Sequence, residues 1–264
     1  MIKVIGIPYD GNSSFLKGPA LAPPRIRLME SDGSANSFSE YGREIIKGKN
    51  YSDMGDMSFD NSNPEEAYQK IKNRMLQELQ PGVKMLCLGG DHSISFPIIE
   101  AHAGHFKDFH VLHLDAHADL YDHFDNNPYS HASPFARLME KNCIKSLTQV
   151  GIRTLNTHQK EQAQKFGVTI FEMKDFTYDF INGLQTPLYI SLDLDVLDPA
   201  FAPGVSHHEP GGMATRDLIK LIQNIPVPIA GADIVEYNPA RDINNMTAMV
   251  AYKLFKELVN KMIE

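Results

Sequence analysis

The sequence predicts an alternating α/β fold on three observations. Apolar runs of four to eight residues recur along the 264 residues, each run is followed by a polar or Gly-rich turn and then an amphipathic stretch, and no repeat or linker interrupts the order. Such a rhythm belongs to parallel strands joined by crossover helices. At this length it suits either an open three-layer sheet or an eight-stranded barrel, which pattern alone separates poorly. Residues 1–264 are expected to form one domain.

The first strand is expected at Lys3–Pro8. Segment Asp32–Ser62 lacks periodicity and is rich in Ser, Gly, Asn and Asp, so it reads as loop with a short strand near Met54–Met57. Asn63 then serves as N-cap with Pro64 at the first helical position, opening a helix to about Leu79. Further strands are expected at Val83–Leu88, Phe109–Leu114, Leu147–Ile152, Thr169–Glu172, Leu188–Leu194 and Pro228–Val235. A helix capped by Thr157 runs through Phe166, and another spans Met246–Met262.

Composition narrows the function. Twenty-five Lys and Arg stand against 33 acids, a net charge of −8, and without basic clusters this argues against nucleic acid or anionic membrane as partner. An acidic chain favours cations. No run nears the roughly 20 apolar residues of a membrane span, and Met1 leads straight into a strand, so no signal or transit peptide is read. Cys87 and Cys143 fit reduced thiols, which makes a cytoplasmic location the expectation. Histidine is unevenly placed: eight of the 11 fall between His92 and His131.

In a parallel sheet the ends of the strands carry the chemistry, and three strand ends carry metal-type ligands. After Val83–Leu88 come Gly89, Gly90, Asp91 and His92. After Phe109–Leu114 come Asp115, His117 and Asp119, which share one side if the strand stays extended. Three ionisable groups on one side are costly to bury unless a cation compensates them. His113 has the same parity but lies deeper, as a satisfied core histidine. The third end offers Asp193 and Asp195. It is no EF-hand loop, because counting from Asp193 the sixth position is Asp198 and the twelfth is Gly204. Asp198, before Pro199, reads as a turn residue. Four carboxylates and two imidazoles divide naturally between two divalent ions, with two carboxylates bridging. Without a thiolate, such a set suits Mn²⁺ before Zn²⁺, Co²⁺, Ni²⁺ or Fe²⁺.

The runs Gly-Gly-Asp-His-Ser (89–93), Asp-Ala-His-Ala-Asp (115–119) and Ser-Leu-Asp-Leu-Asp-Val-Leu-Asp-Pro (191–199) resemble, in order and spacing, the signatures of the ureohydrolases: arginase, agmatinase and formimidoylglutamase. Tyr129–Arg137 and Val205–Gly212 make the plant-type arginase branch, itself agmatinase-like, the nearest match. This resemblance implies a three-layer α/β/α sandwich around an eight-stranded, mainly parallel sheet, two Mn²⁺ per subunit, and a homotrimer or homohexamer. It assigns His92, Asp115, Asp119 and Asp193 to one ion, and Asp115, His117, Asp193 and Asp195 to the other.

The implied reaction is hydrolysis of a small cationic guanidino substrate to urea: L-arginine, with agmatine or another guanidino compound as the alternative. Asp119 would orient the nucleophile and pass its proton to the departing amine, Glu236 would pair with the guanidinium, and His131 would be the proton shuttle, although His123 shares its loop. For the substrate tail the expected donors are Asn126, Asn127 and Ser130, with Arg137 or Arg153 near by. His207, His208 and Glu209 sit in the third loop, where they could touch substrate or simply face water. A metallophosphatase, or a metal site that only stabilises an oligomer, would use similar ligands.

Overall fold

The computed structural model describes residues 1–264. Eight strands lie in one sheet: β1 (Ile2–Ile7), β2 (Tyr51–Asp56), β3 (Lys84–Gly89), β4 (His110–Leu114), β5 (Ser146–Ile152), β6 (Thr169–Glu172), β7 (Leu188–Asp193) and β8 (Ile229–Val235). Their order is β2-β1-β3-β8-β7-β4-β5-β6 and every pairing is parallel, so the open sheet replaces the barrel alternative. Seven helices complete the chain: α1 (Ala22–Ser31), α2 (Pro64–Glu78), α3 (Ser95–Ala103), α4 (Pro134–Glu140), α5 (Thr157–Phe166), α6 (Thr215–Asn224) and α7 (Met246–Ile263).

Two apolar cores, one on each face of the sheet, explain why the strands read as continuous apolar runs. Along β3, Leu86 and Leu88 join the core that includes α1, α6 and α7, whereas Met85 and Cys87 join the one that includes α2, α3 and α4. Period-two alternation therefore distributes one strand between two buried layers. The Asn63 cap is a full capping box, with the Glu66 N–H donating to Asn63 and the Asn63 N–H donating to Glu66. α5 is capped by Asn156, one residue before the expected Thr157, since Asn156 Oδ1 accepts the Gln159 N–H at 2.9 Å.

Four helices were not expected, each for a physical reason. α1 opens on consecutive prolines. α3 is buried nearly throughout and so carries no amphipathic stripe, α4 has only seven residues, and α6 has no side-chain cap. The irregular segment does contain its strand, β2, at Tyr51–Asp56 instead of Met54–Met57. Arg27 of α1 fixes it there, donating from Nε and Nη2 to the two Asp53 carboxylate oxygens at 3.0 Å each.

His102 of α3 is fully buried, with Nδ1 on the Ile98 carbonyl at 2.8 Å and Nε2 unpaired against Gly231, where a Cβ would approach within 2.7 Å. Burial pushes its pKa down to about 4 from 6.5. The unfolded chain therefore takes up a proton below pH 6.5 that the folded chain refuses, so this contribution is complete above 6.5 and lost as pH falls to about 4. The loss amounts to about 3 kcal/mol, at about 1.4 kcal/mol per pKa unit. Chemical denaturation of the parent and His102→Leu across this range should show a shallower acid slope in the variant. Parallel slopes would contradict the assignment.

Candidate active site

The middle of the sheet, β3-β8-β7-β4, brings four strand ends side by side. The backbone leaving β3 passes so close to the preceding loop that a Cβ on Gly90 would lie 1.7 Å from the Tyr9 carbonyl oxygen, which restricts the position to glycine. Asp91 then caps the turn His92–Ile94, and one of its oxygens also accepts the Asn12 N–H at 3.0 Å. His92 emerges buried, with Nδ1 3.0 Å from Asp115 Oδ2, 3.2 Å from Asp119 Oδ2 and 3.0 Å from Asp193 Oδ2.

The second and third motifs reach this point by turns, which corrects the extended-strand expectation. β4 stops at Leu114 and Asp119 has φ +50°, a left-handed turn that swings its carboxylate back toward His92. β7 stops at Asp193, whose Oδ1 accepts the Asp195 N–H at 2.7 Å as a short helical turn begins. Asp195 Oδ2 thereby comes 2.9 Å from His117 Nδ1, while Asp115 Oδ1 lies 3.3 Å from the same nitrogen. Asp115 thus offers one oxygen to each imidazole.

This donor set fits a pair of divalent cations. His92 Nδ1 is buried and makes no hydrogen bond despite three neighbouring carboxylates. Ligands about 2.1 Å from one ion at right angles lie about 3 Å apart, the spacing found here. The four carboxylates are nearly inaccessible and no Lys or Arg is paired with them. Burial, followed by repulsion from Asp195 and Asp115, holds Asp193 well above the usual carboxylate range, and burial and Asp115 lift Asp195 to about 6. For His92 and His117, surrounding carboxylates outweigh burial and favour the protonated ring. Cations would replace those protons and relieve the repulsion together.

Around the cluster, His113 is a satisfied core residue, as expected from its depth. Its Nε2 lies 2.7 Å from Asp115 Oδ2, and its Nδ1 accepts from the Gln149 amide at 2.9 Å. Glu236, just past β8, has φ +61°; its Oε1 accepts the His92 N–H and the His131 Nδ1–H at 2.9 Å each, and its Oε2 is buried without a partner. At His131, Nε2 meets both the N–H (3.2 Å) and the hydroxyl (2.8 Å) of Ser14. Against burial, the Glu236 carboxylate draws the His131 pKa up to about 9, whereas the Ser14 N–H, which can only donate, opposes a proton on Nε2. The ring is therefore neutral and donates through Nδ1 to Glu236.

A cavity of about 200 Å³ opens above these groups, lined by His117, Asp119, His131, Asp193 and Glu236. Its upper wall includes Ser14, Tyr121, Phe124, His207 and Glu209. His207 packs with ring centroids 5.6 Å from His117 and 5.5 Å from His131. Ser14 and the aromatic residues went unnoticed in the sequence, although Ser14 follows the end of β1 and so obeys the same strand-end rule.

The expected tail donors are not brought to the cavity. Asn126 is exposed, Asn127 donates to Asn12 Oδ1 at 3.1 Å and accepts from Tyr129 N–H, and the buried Ser130 hydroxyl accepts the Ala132 N–H. These side chains tie loops together. Arg137 pairs with Glu140, and Arg153 is spent on backbone carbonyls, among them those of Glu209 and Asp195. His123 is exposed beside Asp122, and His208 is held outside by Pro203 and Arg241. Asp198 is the turn residue expected, accepting N–H groups from Ala200 and Gly211.

Known proteins resemble this chain in sequence and fold. The chain is 44% identical to arginase 1, mitochondrial, of Arabidopsis thaliana, an alignment covering 98% of this chain and 80% of that protein. It is 29% identical to an agmatinase of Bacillus anthracis, over 98% of this chain and 90% of that one. Among solved structures, arginase from Medicago truncatula superposes with a TM-score of 0.92 at 40% identity, covering 99% of this chain and 87% of the other. The cytoplasmic expectation is corrected by these relatives, since the Arabidopsis protein bears a mitochondrial name. Unpaired cysteines report a reducing compartment and do not say which one. Residues 1–260 match the family described as Arginase family, and the chain therefore belongs to the arginase family of ureohydrolases.

Proposed function

We propose that the protein hydrolyses L-arginine to urea and ornithine, using two Mn²⁺ ions held by His92, Asp115, His117, Asp119, Asp193 and Asp195, with residues 1–264 acting as one domain. The observation that carries this reading is Glu236 Oε2, a buried acceptor without a partner beside the ligand cluster. A guanidinium supplies both the N–H donors and the positive charge that such an oxygen lacks. Two divalent ions, when bound, supply a water acidified toward neutrality.

The chain's own residues do the rest. Glu236 holds the guanidinium with its carbon facing the cluster, which converts attack into a positioned, near-unimolecular step. Asp119 belongs to the cluster and also lines the cavity, so its carboxylate can take a proton from the attacking water and return it to the departing amine. His131 shares its Nδ1 proton with Glu236 and reaches Ser14 through Nε2, which suits a shuttle toward solvent. Tyr121 and Phe124 add aromatic surface to the same cavity.

No Lys or Arg lines the cavity, which speaks against a phosphate ester and for a cationic substrate. The same fact supports agmatine as a second reading, because an α-carboxylate would meet only neutral donors such as Ser14, Thr154 and Gln159. Urea release from arginine and from agmatine, with and without Mn²⁺, tests both readings. No urea from either substrate in Mn²⁺-loaded protein would overturn them. A homotrimer or homohexamer, as the resemblance implies, is tested by sedimentation.

Glu209 lines the rim, and its carboxylate is in no salt bridge, which suits the distal ammonium that arginine and agmatine share. Glu209→Gln should raise KM about tenfold with kcat nearly unchanged, the signature of lost uniform binding worth about 1.4 kcal/mol. An unchanged KM for both substrates would remove Glu209 from the site.

A further inference from the structure

Behind His92, on the side away from the cavity, a second carboxylate is buried in the centre of the sheet. Asp233 of β8 is completely inaccessible and has no Lys or Arg partner. Its Oδ2 accepts the Tyr189 hydroxyl at 2.9 Å and its Oδ1 the Ser191 hydroxyl at 2.8 Å, both from β7. Ser191 Oγ is in turn 3.0 Å from His92 Nε2. Ser95 is also within reach of Ser191, at 3.3 Å. A hydroxyl has one proton, and the nearer, charged acceptor takes it. With that proton on Asp233, Ser191 Oγ presents lone pairs to the imidazole, so His92 Nε2 is the protonated nitrogen and Nδ1 keeps its lone pair for the Asp115, Asp119 and Asp193 cluster.

We propose that Asp233 is a positioning residue for the metal centre, acting through Ser191 to fix the tautomer and basicity of His92. The proposal rests on the reading of the cluster as a two-metal site. A buried carboxylate that only joined β7 to β8 would need no histidine at the end of its chain. Here the chain runs Asp233, Ser191, His92, and stops at the one cluster nitrogen that is buried without a hydrogen bond. Partners of this kind raise the donor strength of a ligating imidazole, and their loss typically weakens metal binding about 10–100-fold.

The test is Mn²⁺ binding to the full-length protein, followed by chelator competition, for the parent, Asp233→Asn, Ser191→Ala and the double variant. Asn keeps an acceptor for Ser191 and removes the charge; Ala removes the link and leaves Asp233 in place. Each single variant should weaken one of the two ions about 10–100-fold and leave the other unchanged, and the double variant should be no worse than the more severe single one. Circular dichroism and thermal unfolding identify variants that fold, and Ser191→Ala carries the test should Asp233→Asn fail. Two ions bound as tightly as in the parent, equal weakening of both, or additive losses would each overturn the relay. A parent chain that binds no Mn²⁺ would instead overturn the metal reading on which it rests.

Discussion

Asp115→Ala is expected to abolish urea release at every Mn²⁺ concentration and to leave less than one tightly held ion per chain. Asp115 is the residue whose two oxygens face both imidazoles, at 3.0 Å from His92 Nδ1 and 3.3 Å from His117 Nδ1. Its removal would deprive both proposed ions of a ligand and leaves His113 Nε2 without its carboxylate partner. Excess metal cannot restore a missing bridge, so loss should persist at saturation. Asp193→Ala should behave in the same way, because it removes another of the three carboxylates around His92. Metal analysis after gel filtration, with urea measured in parallel, checks both variants. Activity that recovers with added Mn²⁺ would show that the bridge is dispensable.

His131→Ala should behave differently, losing about 10²- to 10⁴-fold in kcat while retaining both ions, the range for a positioned acid/base group. The imidazole lies outside the cluster; its contacts are Glu236 Oε1 and Ser14. Glu236 keeps the His92 N–H as a donor after the substitution, so the guanidinium partner stays in place. The expected contrast is therefore between loss of chemistry with metal retained and loss of both. Equal, complete loss in His131→Ala and Asp193→Ala would refute that division.

The candidate ligands at 92, 115, 117, 119, 193 and 195 stand out in the sequence because buried charge demands compensation wherever it lies. The route by which they converge does not. Alternation along an extended strand is not what gathers these side chains, since Asp119 turns through φ +50° and Asp195 sits in a helical turn. Strand positions were recoverable from apolar runs buried on both faces, whereas α3 hid for the same reason: a helix without a polar side has no stripe to detect. Asn127 and Arg153 show the remaining limit. Their chemistry suited a substrate carboxylate, but the folded loops use those donors on Asn12 and on backbone carbonyls.

The position of β8 has a consequence for how the protein is made. It is the last strand in the chain yet sits between β3 and β7. Without β8, strands β1 to β3 and β4 to β7 would be two half-sheets, each with an open edge where β8 belongs. Glu236 arrives with that closing strand, and its carboxylate accepts the His92 N–H across the seam. A chain ending before β8 thus lacks both the centre of its sheet and the proposed guanidinium partner. Closure of the sheet and delivery of Glu236 to the cluster depend on the same strand.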